Sequence, residues 1–284
     1  MSAIDELGLP PLPEPLPRPV IDNHTHLSST QEYSGLQVAD NVRLAAEVGV
    51  TRIVEVGCDL PSARYAVELV THEPNVRAAI ALHPNDVART YLKHGEERLE
   101  AELAVIGQLA RRSGVVAVGE TGLDYYRTRE DEGRRMQEVA FRRHIGWAKE
   151  LDKTLVIHDR DSHDDILRVL DSEGAPGRFV MHCFSGDADF ATRCLERGAW
   201  LSFPGVVTFG SAEPLREAAL ATPLDRILVE TDAPYLTPEP FRGKRNDSGK
   251  LSYVIAKLAE WKGMDAADME RITFENGKRL YGLV

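Results

Sequence analysis

The strongest constraint in this chain is a rhythm. Short apolar runs rich in β-branched residues alternate with longer amphipathic stretches, eight times over. The runs are PVIDNHTHL, RIVEVGC, VRAAIALHP, VVAVGETGLD, TLVIHDR, RFVMHCF, WLSFPG and RILVETDAP. Each is nearly continuous in apolar residues before a polar end. Continuous rather than alternating apolar character marks strands buried on both faces, as in a parallel sheet. The stretches between them have helical spacing. LQVADNVRLAAEVG stops at Gly49, HDDILRVLDSEG at Gly174 and DADFATRCLERG at Gly198, each glycine a good helix terminator. Eight β-then-α units in 284 residues predict an α/β fold, a single (β/α)8 TIM-like barrel, rather than an open doubly wound sheet. No GxGxxG follows the first run, which argues further against a dinucleotide-binding fold.

Residues 1–19 stand outside the rhythm. Six of the chain's 16 prolines fall here, at Pro10, Pro11, Pro13, Pro15, Pro17 and Pro19. Such a segment favours polyproline II over helix or central strand. It is expected to be an extended arm on the surface, with one barrel domain over 20–284.

A barrel of this kind builds its site at the C-terminal ends of its strands. Run one ends in His24 and His26, run three in His83, run four in Glu120, run five in His158, run six in His182 and run eight in Asp232. Five of the nine histidines thus sit at strand ends. His24 and His26 are two apart, so on a strand both face one way. Imidazole and carboxylate donors suit Zn, Mn, Fe, Co or Ni, and carboxylates can also hold Mg. His24, His26, Glu120, His158, His182 and Asp232 exceed what one tetrahedral ion needs, so two divalent metal ions are expected, with Glu120 able to bridge them.

At these residues the sequence resembles the TatD family of metal-dependent hydrolases. The matching stretches are IDNHTH, ALHPND, VGETGLDYY, VIHDRDSHDD, VMHCFSGD, LSFPGVVTF, RILVETDAPYLTP and FRGKRND. The resemblance implies hydrolysis of phosphodiesters, commonly by a 3′-to-5′ exodeoxyribonuclease. It makes Asp232 and Glu120 catalytic, Asp232 as both ligand and proton acceptor. It also implies that His83 contacts substrate phosphate. The basic stretch Arg242, Lys244, Arg245 and Lys250 is read as a substrate loop, although Asp247-Ser248-Gly249 replaces the usual continuation. Tyr125 is a candidate for stacking on a base, with covering of the barrel rim as the alternative. Asp22 either orients a histidine or satisfies local backbone. Ser185 and Gly186 either bind an anion or cap a helix. The expected partner is the end of a single-stranded DNA, or a small phosphodiester. The alternative function keeps the metal site and hydrolyses a small amide, ester or lactone; a non-enzymatic interaction protein is the third reading.

Charge bears on that choice. With 34 Lys and Arg against 45 Asp and Glu, the chain carries −11. That excludes broad backbone binding, which leaves a basic footprint. It permits narrow engagement of a strand end at a mouth made positive by two ions. The three cysteines, Cys58, Cys183 and Cys194, form no disulfide framework or CxxC site. Free thiols, the lack of a signal pattern and the lack of an apolar run near roughly 20 residues predict a cytoplasmic protein without a membrane partner; the sequence leaves the oligomeric state open, with a monomer expected.

Overall fold

A computed structural model describes residues 3–283. All eight runs are strands: β1 Val20–Thr25, β2 Val50–Gly57, β3 Val76–Ile80, β4 Val115–Asp124, β5 Thr154–Arg160, β6 Phe179–Met181, β7 Trp200–Phe203 and β8 Ile227–Val229. They form one parallel sheet in sequence order. The sheet curls into a nearly closed (β/α)8 barrel. At the seam between β8 and β1, single hydrogen bonds take over from a ladder. Asn23 Nδ2 donates to Val229 O at 2.8 Å, Asp232 N to His24 O at 2.9 Å and His26 N to Ala233 O at 2.8 Å. The seam therefore places His24 of β1, and His26 just past it, beside Asp232.

Every second residue of the strands points inward. Val54, Val56, Ala79, Ala117, Val156, Val180 and Leu228 fill the barrel interior. Leu280 and Tyr281, at the end of the C-terminal helix Ala266–Tyr281, pack into the same cluster. Thr154 Oγ1, on the first residue of β5, donates to Leu280 O. This helix thus closes the N-terminal mouth and leaves the C-terminal mouth open. The outward strand residues pack against the helices in one large apolar cluster. The predicted helix stops hold: the helices Val38–Glu47, His163–Glu173 and Ala188–Glu196 end just before Gly49, Gly174 and Gly198, all at positive φ.

The N-terminal segment differs in part from the extended arm expected. Ala3–Leu7 is a short helix, because the prolines begin only at Pro10. Past Gly8 the chain has no regular element until β1. Nor does it lie loosely on the surface. Ile4 and Leu9 are buried with Leu36 and Leu44, and Leu12 and Leu16 pack on the core. Leu16 N donates to Val48 O at 3.1 Å. A Cβ on Gly49 would come within 2.9 Å of Leu16 Cβ, so the absent side chain there lets the arm seat. The leucines between the prolines supply the apolar surface that holds the segment down.

Candidate metal centre

The open mouth gathers the residues singled out at the run ends. His24 lies on β1 and Glu120 on β4; His158 lies on β5. His26 and His182 each stand one residue past a strand, and Asp232 stands three past β8. The Asp232 φ of 52° turns its carboxylate back over the mouth, a left-handed conformation that Asp tolerates better than most residues.

Glu120 is the hub. Its carboxylate lies 2.7 Å from His158 Nδ1, 2.9 Å from His182 Nε2, 3.4 Å from His83 Nε2 and 3.6 Å from His24 Nε2. The GETG motif aims it there. Between Val118 and Thr121 the β4–β5 register slips, so three steps on β4 match two on β5. Bulges of this kind re-aim a side chain. Gly122, at φ 138°, passes so close to β5 that a Cβ would sit 2.0 Å from His158 O. Asp232 closes the other side, with Oδ1 3.4 Å from His26 Nε2 and 3.8 Å from His24 Nε2.

Hydrogen bonds fix which nitrogen His26, His182 and His83 present. His26 Nδ1 lies 3.1 Å from Val56 O, a partner that only accepts, so Nδ1 keeps a proton and Nε2 is the nitrogen turned to the mouth. His182 does the same against Glu230, whose Oε1 is 3.1 Å from Nδ1 and also accepts from Cys183 N at 2.7 Å. His83 is reversed. Its Nδ1 accepts from Asn85 N at 3.1 Å, so the neutral ring keeps its proton on Nε2 and offers a donor, not a lone pair. His158 sits between two carboxylates, Glu120 at Nδ1 and Asp124 at Nε2 (3.2 Å).

Electrostatics follow from burial and this crowding. Burial opposes the charge on Glu120, yet His182, His83 and His158 outweigh it and hold its pKa well below the usual carboxylate value. Asp232 is lowered in the same way, burial being overcome by His26, His182 and His24. Burial also opposes charge on His26 and His158, but Asp232 raises the first to about 9, and Asp124 with Glu120 raises the second to about 9. His24 goes the other way: burial and its stacked neighbour His182, with ring centroids 3.7 Å apart, lower it.

These residues fit a cation. Both ring nitrogens of His24 are buried without a hydrogen-bond partner, and a neutral imidazole in that state lacks a partner for donor and acceptor alike. Ligand atoms within 4.8 Å of one another occur as His24–His26–Asp232, His24–Glu120–His182, His83–Glu120–His158 and His26–Cys58–Glu120 among the described residues.

A profile of the family described as TatD related DNase matches residues 21–282. The chain belongs to that family. It is 40% identical over 267 residues to the uncharacterized metal-dependent hydrolase TatD of Mycobacterium tuberculosis, spanning 93% of this chain and 98% of that protein. It is 38% identical over 263 residues to the uncharacterized metal-dependent hydrolase YabD of Bacillus subtilis, covering 92% and 98%. The crystal structure of YJJV, a TatD homologue of Escherichia coli, superposes with a TM-score of 0.78 at 25% identity, covering 93% of this chain and 98% of that one. This TatD-family protein is a metal-dependent hydrolase on a TIM-like barrel.

The basic loop after β8 reads differently in space than in sequence. Lys250 is fully buried and paired with Asp247 at 3.0 Å, so it is not free for substrate. Arg245 Nη1 donates to Leu7 O at 3.2 Å and to Ser34 O at 3.1 Å, tying the arm to the helix Leu27–Ser34. Asn246 Nδ2 holds the loop through Thr231 O and Tyr235 O. Only Arg242 and Lys244 remain on the open side. They line a groove with Tyr33, Phe209 and Tyr235, and its lining holds no carboxylate. Arg242 stacks 4.3 Å over Phe209, and the Tyr235 ring lies 6.1 Å from His26.

Other expectations change too. The Tyr125 hydroxyl donates to Asp165 Oδ2 at 2.9 Å and Arg134 covers its ring, so it is a rim residue already engaged. Tyr235, 56% exposed beside His26, is the aromatic that sequence reasoning missed. Asp22 serves backbone, not a histidine: it accepts from Thr231 N at 2.9 Å and Thr231 Oγ1 at 2.6 Å across the seam. Ser185 and Gly186 precede a helix that Asp187 caps, a carboxylate that would repel an anion. Glu230 was missed as well; the signal was its spacing of two from Asp232 in ETD, the same separation as in HxH. No helix among the described residues is long and apolar enough to cross a membrane.

Proposed function

We propose that this TatD-family hydrolase removes nucleotides from the 3′ end of single-stranded DNA, as a 3′-to-5′ exodeoxyribonuclease with two divalent ions. His24, His26, Glu120, His158, His182 and Asp232 would hold the ions, with Glu120 shared. The observation that carries this reading is the Glu120 carboxylate within 3.6 Å of four imidazole nitrogens at one barrel mouth. Divalent ions supply charge neutralisation for the phosphodiester and acidity for the attacking water. Asp232 Oδ1 takes the proton of that water, the role its place beside His24 and His26 suits. His83 Nε2–H donates to a phosphate oxygen, because its Nδ1 is already occupied.

The groove of Tyr33, Phe209, Tyr235, Arg242 and Lys244 supports a nucleic-acid strand over a small neutral substrate. In a chain of net charge −11, a groove with two cations and no carboxylate is selective for anions. A base stacked on Tyr235 contributes about 1–3 kcal/mol without demanding a sequence. Arg242 and Lys244 then meet the backbone, while Arg245 and Tyr125 hold the surrounding frame.

The test uses metal-stripped protein to which Mg2+, Mn2+, Co2+, Ni2+ or Zn2+ is restored singly. The substrates are 3′-labelled and 5′-labelled single-stranded DNA, RNA and a small ester. Metal-dependent shortening of DNA from the 3′ end is expected. Turnover of the ester with no cleavage of any nucleic acid would reverse the assignment.

A further inference from the structure

We propose that Cys58 is a further metal ligand, a thiolate donor that biases the centre towards softer ions such as Zn2+ and away from Mg2+. The inference rests on the metal-centre reading above and extends it to a residue that the histidine and carboxylate motifs do not include.

Cys58 directly follows β2, the strand neighbouring β1. Its Sγ lies 3.5 Å from Glu120 Oε2, and Sγ, a His26 ring nitrogen and a Glu120 oxygen all fall within 4.8 Å of one another. The backbone holds it there on both sides. Cys58 N donates to Ser62 Oγ at 3.0 Å, and Cys58 O accepts from His83 N at 2.8 Å. The second, independent observation is His24. Both its nitrogens are buried and unpartnered, with Nε2 turned to the same Glu120 carboxylate. His26, with Nδ1 occupied by Val56 O, turns its Nε2 to the same space.

A sulfur donor changes what the site selects. Thiolate favours Zn2+, Cd2+ and Co2+, whereas Mg2+ prefers oxygen and keeps its water. On ligation the S–H bond breaks, its electron pair goes to the cation and the proton leaves to solvent. The exit is the surface groove lined by Cys58, Asp59 and Ser62. No oxidation state changes.

The experiment titrates the metal-stripped full chain with Co2+ under reducing conditions and follows absorbance. Cys58→Ser, Cys58→Ala and Cys183→Ser are run alongside, with circular dichroism as the folding check. The wild type and Cys183→Ser are expected to show a sulfur-to-cobalt charge-transfer band in the near ultraviolet. Both Cys58 variants lose that band and keep the visible band of nitrogen- and oxygen-bound cobalt. By competition, Cys58→Ser weakens Zn2+ binding on the order of tenfold, the lower end of what a lost metal-site partner costs, and leaves Mg2+ binding unchanged. A wild-type visible band without charge transfer, or a charge-transfer band that survives Cys58→Ser, overturns the role of Cys58 and leaves the metal centre standing. Failure of every chain to bind Co2+ overturns the metal centre itself.

Discussion

Glu230 anchors His182: its buried Oε1 sits 3.1 Å from His182 Nδ1 and also accepts from the next backbone N–H, that of Cys183. The contact fixes the tautomer and the angle of a ring whose other nitrogen faces Glu120 at 2.9 Å. Partners of this kind tune affinity without touching the ion. Glu230→Gln keeps the shape and removes the charge. It is expected to weaken Mn2+ or Zn2+ binding by roughly 10–100-fold, read by calorimetry, with the melting temperature of the metal-free protein little changed. Unaltered affinity would make Glu230 purely structural.

Glu120→Ala tests the hub. The side chain faces the open mouth and not the apolar core, so its loss leaves the barrel folded. Turnover is expected to fall at least on the order of 10²–10³-fold, the scale of one removed electrostatic contact in a catalytic site. Steady-state rates and far-ultraviolet circular dichroism check both halves; undiminished turnover would move the site elsewhere.

Metal binding is expected to release protons. Against burial, His26 and His158 in the metal-free protein are raised to about 9 by Asp232, Asp124 and Glu120, and His182 is raised well above the ordinary imidazole value by Glu120 and Glu230, so at pH 7.5 all three rings carry a proton that a cation must displace. Calorimetric titrations in buffers of different ionisation enthalpy would report about three protons released from these rings, and affinity would fall as pH drops. Binding without proton release contradicts the protonation assigned to these rings.

His144 gives a pH dependence of stability apart from the ligands. Burial lowers its pKa to about 3, and its Nδ1 lies 2.7 Å from Thr121 Oγ1. The folded value is below the unfolded value of about 6.5, so the unfolded chain takes up the proton first. The His144 contribution is constant above pH 6.5 and falls as pH drops from 6.5 towards 3, by on the order of a few kcal/mol over the window. His144→Gln should flatten that part of the urea-derived stability curve; an identical acid slope would show that His144 does not carry it.

The loop after β8 separates two arginines. Arg242→Ala should raise KM for single-stranded DNA about tenfold, the scale of one charge-assisted hydrogen bond. Arg245→Ala should leave KM unchanged and expose the N-terminal arm to protease, because its contacts are Leu7 O and Ser34 O. Equal KM effects would place both at the substrate.

Much of the barrel and its mouth was legible in one dimension because local physics writes it there. A strand buried on both faces must be apolar along its length, and a helix on the outside must carry one apolar stripe. The glycines after Glu47, Glu173 and Arg197 stop helices for reasons internal to each turn. The polar residue at the end of six of the runs stood out because its run is otherwise apolar, which is why His24, Glu120, His158 and Asp232 were readable. Arg245 and Lys250 were not. A basic residue in a loop has the same sequence signature whether it meets solvent, a carbonyl or a buried Asp247. Tyr125 and Tyr235 likewise differ only in what neighbours their rings.

The sequence alone determined the eightfold alternation, the parallel barrel and the stock of imidazoles and carboxylates at its open end. Tertiary structure decided their assignments: the nitrogen that His26, His83 and His182 present, the arrival of Cys58 beside Glu120, the seating of the arm, and the pairing of Lys250. Those outcomes depend on register slips such as that at Glu120, on the β8–β1 seam, and on contacts between residues far apart in sequence, such as the 238 positions between Arg245 and Leu7. Hydrogen bonds and burial act over a few ångströms, so only the folded chain specifies which partners meet.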